Sequence, residues 1–268
     1  MPIITLLSDF GLRDPYVAEM KAVILSICPE AYIVDISHEI QKFNIRMGAF
    51  VLASATPYFP SGTIHVAVVD PGVGTKRRSL VVETKRCLYV GPDNGLLMLS
   101  AQRDEILHVH NIRNQRYMLP RVSRTFHGRD IFAPAAAYLA RGHPPSEFGP
   151  EIYDHLIPKF AKPHFREGKL FGEVMHIDDF GNIISNISMK ELEKVGVHEG
   201  YPLHVKLGGR ALELRLCSAY GEVPVKTPLA IVGSHDFLEV SVNQGNASKA
   251  FRVKTGALIR ISLPSARP

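Results

Sequence analysis

Thr63-Ile64-His65-Val66-Ala67-Val68-Val69-Asp70-Pro71-Gly72-Val73-Gly74-Thr75-Lys76-Arg77-Arg78 is the stretch that decides the fold. Its first seven residues are mostly β-branched or apolar with little polar alternation, as in a strand buried on both faces. The run ends on Asp70, so a carboxylate falls at the carboxyl end of a strand, where ligands collect in open α/β sheets. Pro71 fixes its own φ, Gly72 and Gly74 permit positive φ, and the amides between them can line a polar concavity. Asp70 and Arg77 then flank one small volume. Asp-Pro-Gly also makes ordinary turns, so the surrounding sequence has to separate a site from a turn.

Toward the amino terminus the same pattern recurs. Residues 3–7 form a short apolar run that stops at Ser8-Asp9-Phe10-Gly11, which makes Asp9 a second strand-end carboxylate. Asp14 and Pro15 suit the start of a helix carrying Val17, Met20, Ile24 and Ile27 at helical spacing. Residues 31–36 read as a strand, and Asn44 is placed to cap a helix with Ile45, Ala49 and Leu52 that ends before Pro57. Strand, helix, strand, helix, strand predicts parallel pairing with right-handed crossovers. Downstream, residues 79–84 and 87–90 read as strands joined by a short turn. Gly91-Pro92-Asp93-Asn94-Gly95 punctuates before a short helix, and residues 106–112 are a further strand. Phe126-His127-Gly128-Arg129-Asp130 opens the last helix of this half, and Pro134 demands a kink or a tight start near His127. His127 and the unpaired amides of that turn can face a ligand, or His127 can serve in capping and packing. The expectation for residues 1–157 is an α/β domain with a mostly parallel, doubly wound sheet.

From residue 142 the texture changes, with Pro144, Pro145, Pro150, Pro158 and Pro163 among polar residues. A linker is expected over 158–168, followed by a smaller antiparallel β-barrel-like domain over 169–268. Its strands are predicted at 170–177, 203–207, 211–216, 229–232, 237–242 and 257–263, with a hairpin at Gly208-Gly209 and one helix over 189–195. Two stretches, residues 177–186 and 232–246, carry more polarity than a barrel needs. Asn, Ser and carboxylates at strand ends can read an amide edge, an amino-acid head group or a purine, and they also build turns.

Composition bounds the function. Apolar residues make up 46% and charged residues 21% of 268, enough for a large core and without the bias of a disordered chain. The formal charge is +5, but Lys and Arg are scattered, so nucleic acid is not expected as a partner. Cys28, Cys87 and Cys217 are widely spaced, which points to a reduced, cytoplasmic setting. No membrane segment or signal is expected from the short apolar start. The histidines show no metal-ligand spacing, so no metal is expected.

Taken together, Ser8-Asp9-Phe10-Gly11, Val69 to Thr75 with Arg77-Arg78, Gly91 to Gly95, Phe126 to Asp130 and Asp178-Asp179-Phe180-Gly181-Asn182 resemble the S-adenosyl-L-methionine hydroxide adenosyltransferases, hydrolase relatives of fluorinase and chlorinase. The resemblance runs over nearly the whole chain. It implies attack of water or hydroxide on C5′ of S-adenosyl-L-methionine, giving adenosine and L-methionine with no cofactor. It implies a homotrimer with active sites between the amino-terminal domain of one subunit and the carboxy-terminal domain of the next. The family's catalytic Asp, Arg and His fall on Asp70, Arg77 and His127, and its ribose carboxylate on Asp9. By the same resemblance Asp178 holds the methionine amino group, Ser234 its carboxylate and Asn182 the adenine, with Asn243 near the adenine and Glu239 also among the substrate-binding residues. A 5′-halogenase of the same superfamily and a non-catalytic adenosine or S-adenosyl-L-methionine sensor are the alternatives.

Overall fold

A computed structural model describes residues 1–262 of the chain, which divides into two compact units, Met1–Pro158 and Lys159–Pro268. The first unit runs β1 (Ile3–Ser8), α1 (Tyr16–Ile27), β2 (Tyr32–Ser37), α2 (Ile45–Ala55), β3 (Ile64–Val68), β4 (Ser79–Thr84), β5 (Leu88–Pro92), α3 (Met98–Arg103), β6 (Ile106–Asn111) and α4 (Ala133–Ala140). Its six strands form one sheet in the order β2-β1-β3-β5-β4-β6. All five residues of β3 are buried, as its apolar run requires. Alternate residues point to opposite faces. Ile4, Leu6, Val66, Val68, Val81 and Val90 face a core with Met20 and Ile24 of α1 and the alanines of α4. On the other face Ser100 of α3 donates to the Tyr89 hydroxyl at 3.0 Å, below α2. The sheet is therefore covered on both sides.

The expected mostly parallel sheet is instead mixed. β2, β1, β3 and β5 pair in parallel, but β4 runs antiparallel to both β5 and β6. Only Lys85, Arg86 and Cys87 separate β4 from β5, too few for a crossover, so the connection folds as a tight reversal. The chain steps outward from β1 to β2 and then returns past β1 to β3, which makes the carboxyl ends of β1 and β3 the switch point of the sheet. Asn44 caps α2 as expected, accepting from Met47 N at 3.0 Å. Pro15, rather than Asp14, takes the cap position of α1. The helix expected from His127 opens as a π-type turn over Gly128–Phe132 and becomes α-helical only at Ala133, because Pro134 is compatible only with a helix's first turn.

The second unit contains β7 (His164–Arg166), β8 (Lys169–Ile177), β9 (Ile183–Ser188), α5 (Met189–Lys194), β10 (Pro202–Leu207), β11 (Arg210–Cys217), β12 (Pro228–Val232), β13 (Phe237–Val242), α6 (Ala247–Phe251) and β14 (Leu258–Ser262). Seven strands close into a barrel in the order β14-β10-β11-β12-β13-β9-β8, with β8 pairing back to β14 and β7 flanking β8. Thus β7 occupies part of the stretch expected as linker. The barrel is not wholly antiparallel: β11 and β12 run parallel, since the long connection over 218–227 carries the chain back before β12 begins. The strand expected over 257–263 passes beyond the described residues at Leu263. β9 and α6 were hidden in sequence by their polar residues, Ser185, Asn186 and Ser188 in one and Ser248 and Lys249 in the other.

Candidate active site

Two turns fold the Asp70 loop back on itself. Val73 N donates to Asp70 O at 3.3 Å and Thr75 N to Gly72 O at 3.2 Å, and Arg77 returns over the Asp70 carboxylate. Arg77 Nε donates to Asp70 Oδ1 at 3.1 Å and one terminal nitrogen to Oδ2 at 2.5 Å, a two-point contact between side chains only 8% and 5% exposed. The same nitrogen donates to His127 Nδ1 at 2.9 Å. The other terminal nitrogen donates to Arg78 O at 3.0 Å and Ser79 Oγ at 2.9 Å. A guanidinium has five N–H groups, and here every one is engaged. The structure thus brings Asp70, Arg77 and His127 together, with Arg77 at the centre.

The contact fixes the histidine. Arg77 can only donate, so His127 Nδ1 must be the unprotonated acceptor, and the neutral ring carries its proton on Nε2. Burial and then the Arg77 charge push the His127 pKa below its ordinary value, against smaller opposing effects of Asp70 and Asp130. The turn behind His127 is braced from within. Asp130, fully buried, accepts from Ser123 N and from Arg129 Nε, each at 2.7 Å, and Arg129 reaches Glu19 of α1 at 2.7 Å. Gly74 ties the two loops, since a Cβ there would sit 2.2 Å from Arg124 O.

Asp9 lies just past β1 and is buried. Its Oδ2 accepts from Phe43 N at 2.8 Å, and Lys42 Nζ donates to its main-chain carbonyl. Among the described residues Oδ1 has no protein donor and remains available. Asp9, Asp70 and His127 line one cleft of about 370 Å³, with Phe10, Tyr16 and Phe126 as an aromatic wall. The Phe126 ring meets Phe10 and Tyr16 edge-on, at 5.6 and 5.1 Å between centroids. Tyr16, Lys42 and Phe43 were not singled out in sequence. The cue was present, a cation and an aromatic ring between a strand and a capped helix at the end of the sheet that already held Asp9.

In the second unit, Asp178 accepts from Asn182 N at 2.8 Å and Nδ2 at 2.9 Å, closing the turn between β8 and β9. Glu239, on β13, accepts from the Tyr220 hydroxyl at 3.0 Å. Burial raises the Glu239 pKa, and the Asp178 charge adds to the rise. Tyr220, missed in sequence, is pushed up to about 12 by burial and then by Glu239. A Cβ on Gly233 would lie 1.9 Å from Glu239 Oε1, so Glu239 sits against the backbone beside Ser234. Glu239 thus has the Asp178 turn on one side, toward the carboxyl end of β13, and the Gly233-Ser234 backbone on the other, toward the start of β13. Asn243 follows the carboxyl end of β13, the end that faces the Asp178–Asn182 turn, and its Nδ2 donates to Val223 O at 2.8 Å.

Other motif residues turn out to be fasteners. Arg78 faces away from Asp70 and binds Asp93 and Asp154, at 2.7 and 2.6 Å. Asn94 Nδ2 donates to Val69 O at 2.8 Å, pinning the strand end before Asp70.

The SAM hydroxide adenosyltransferase N-terminal domain matches residues 4–149, and the C-terminal domain of the same enzymes matches residues 172–260. The chain belongs to the SAM hydroxide adenosyltransferase family. It is 41% identical over 265 residues to an (R)-S-adenosyl-L-methionine hydrolase of Thermus thermophilus, covering 95% of this chain and 97% of that one. A fluorinase of an Actinoplanes species is more distant, 28% identical with 97% of each chain covered. A crystal structure of a conserved protein from Thermotoga maritima superposes with a TM-score of 0.83 at 38% identity, covering 97% of this chain and 99% of the other. Asp9, Asp70, Arg77 and His127 all fall in the segment matched to the family's N-terminal domain.

Proposed function

We propose that this protein hydrolyses S-adenosyl-L-methionine to adenosine and L-methionine by in-line attack of water on C5′. The observation that carries the reading is the Asp70-Arg77-His127 constellation, held in a cleft at the switch point of the sheet. The leaving group departs as a neutral thioether and needs no acid, so the protein has only to align a water and take its proton. Arg77 has no N–H left for that water and acts by fixing its two neighbours. His127 Nε2–H orients the water by donating to its oxygen, and Asp70 accepts the departing proton through a lone pair that Arg77 does not occupy. Alignment of this kind lowers barriers by several kcal/mol. A halide would need free donors to replace its hydration. Arg77 offers none, and the Asp70 carboxylate repels an anion, so hydrolysis is favoured over halogenation.

Asp9, with Oδ1 available, suits the ribose diol, and the aromatic wall suits a flat base. On the barrel, Asp178 and Glu239 suit the methionine ammonium and Ser234 its carboxylate. Asn182 and Asn243 are assigned to the adenine on the family resemblance. We assign residues 1–157 as the catalytic domain and 169–268 as the second domain, with 158–168 as the connection, whose last part forms β7 beside β8. The enzyme is proposed to be a cytoplasmic homotrimer, each active site completed by the second domain of a neighbouring subunit. Phe43 and Leu12, 69% and 68% exposed, are the apolar surface that such a neighbour would cover.

The test is incubation with S-adenosyl-L-methionine in ¹⁸O-labelled water, with and without high chloride, followed by mass spectrometry of the nucleosides. Adenosine labelled at the 5′ oxygen is the expected product. A 5′-chloro nucleoside would assign a halogenase, and saturable binding without product would assign a sensor.

A further inference from the structure

One buried cluster beside the cleft is not used by the chemistry above. Ser8, at the end of β1, and His38, just past β2, are 1% and 4% exposed. Ser8 Oγ lies 2.7 Å from His38 Nδ1. His38 Nε2 lies 3.1 Å from Asp35 Oδ1, close but off the line of a good hydrogen bond. Lys21 of α1 donates to the other oxygen of Asp35 at 2.6 Å. The residue types are those of a hydrolytic triad, but the serine is shut in and absent from the cleft lining, so no substrate carbonyl reaches it. Its role has to be found in what it holds.

The direction of the bonds follows from the donors. The Asp35 carboxylate can only accept, so the neutral His38 ring turns its Nε2–H toward Asp35 and its Nδ1 accepts from the Ser8 hydroxyl, while Phe10 N donates to Ser8 Oγ at 3.3 Å. His38 also accepts through its main-chain carbonyl from Gly11 N at 2.8 Å. One residue therefore grips the loop over residues 8–11 at both ends, and Asp9 stands between the two grips. Phe43 N, five residues after His38, binds the Asp9 carboxylate itself.

We propose that Ser8, His38 and Asp35 form a positioning relay that holds Asp9 for the substrate's ribose hydroxyls, so that His38 sets affinity for the ribose without touching substrate. This rests on the assignment of Asp9 to the ribose. The relay acts on binding rather than on the water, which is held by other loops. A loss of the relay therefore appears in KM and leaves kcat in place.

The experiment is steady-state kinetics of the full-length enzyme on S-adenosyl-L-methionine and on its 2′,3′-dideoxy analogue. His38→Leu is expected to raise KM for the first about tenfold, the scale of one bond to a charged group lost, with kcat within about twofold. KM for the analogue, which lacks the hydroxyls, should not move. Ser8→Ala should reproduce this split with the least change of volume. His38→Asn, whose amide oxygen sits where Nδ1 did, should restore KM, while His38→Gln, which extends toward Asp35, should not. Equal effects on both substrates, or His38→Asn no better than His38→Leu, would overturn the relay and leave His38 a packing residue. Asp9→Asn tests the underlying assignment separately. If it leaves KM for S-adenosyl-L-methionine unchanged, the ribose role of Asp9 fails and the relay with it. If it raises KM while the His38 and Ser8 variants do not, the relay alone fails.

Discussion

Replacing Arg77 by lysine separates two accounts of this arginine. Lysine keeps the positive charge beside Asp70 but offers three N–H donors in place of five, from one atom. It cannot span the two Asp70 oxygens, His127 Nδ1, Arg78 O and Ser79 Oγ, all of which Arg77 reaches. At least two bonds from a charged donor are lost, each contributing about 1.5–3 kcal/mol. The lower end, about 3 kcal/mol, corresponds to about a hundredfold in rate. We expect kcat/KM of Arg77→Lys to fall by about a hundredfold or more, close to the loss in Arg77→Met. Initial rates of adenosine formation measure this, and urea melts of the same samples report any loss of folded protein. Activity of Arg77→Lys within about threefold of the parent would refute the argument, because charge alone would then suffice and the fork would be irrelevant.

Other outcomes follow from the same geometry. The proposed mechanism uses neutral His127, and burial with the Arg77 charge holds its pKa below 6.5, so activity should persist below that pH and fall only as pH drops through the depressed value. Arg77→Met removes the opposing charge, and the acid limb of its kcat profile should move to higher pH. Gly74→Ala places a Cβ against Arg124 O at a residue with φ of 75°, costing about 1–2 kcal/mol for the backbone alone. Its melting temperature should fall together with activity, since the displaced segment carries His127. Glu239→Gln tests the barrel site. Burial raises the folded pKa of Glu239 above its unfolded value, so its contribution to stability is greatest while it is protonated and is lost as pH rises through the folded value. The variant should therefore be more resistant to urea than the parent at pH 7, lose that advantage at acid pH, and bind methionine more weakly by calorimetry.

Much of the site was legible because its residues end strands. Asp9 and Asp70 each follow an apolar run, and the carboxyl end of a buried strand is where ligands collect in such sheets. The Arg77 contact was readable as proximity, but not its saturation, which depends on Ser79 and on a main-chain carbonyl that no pattern reveals. His127 was readable as a residue before a helix. The π-type turn that aims it follows from Pro134 acting with the buried Asp130 brace, a tertiary effect. The reversal between β4 and β5 was readable in their short connection, but the antiparallel pairing of β6 with β4 was not, because apolar content marks burial and not strand direction. In the barrel, Tyr220 stood in a connection without periodicity, and the bond from Asn243 Nδ2 to Val223 O was not readable, because an asparagine that holds a loop and one that holds a base are written alike.

The order in which the cleft's parts occur along the chain carries a consequence for synthesis. Asp9, Phe43 and Asp70 leave the ribosome early, each on a loop that needs its strand seated in the sheet, and His127 arrives last, after β4, β5 and β6 have been laid beside β3. On the proposed roles of these residues, a nascent chain therefore holds only fragments of the cleft before that histidine emerges.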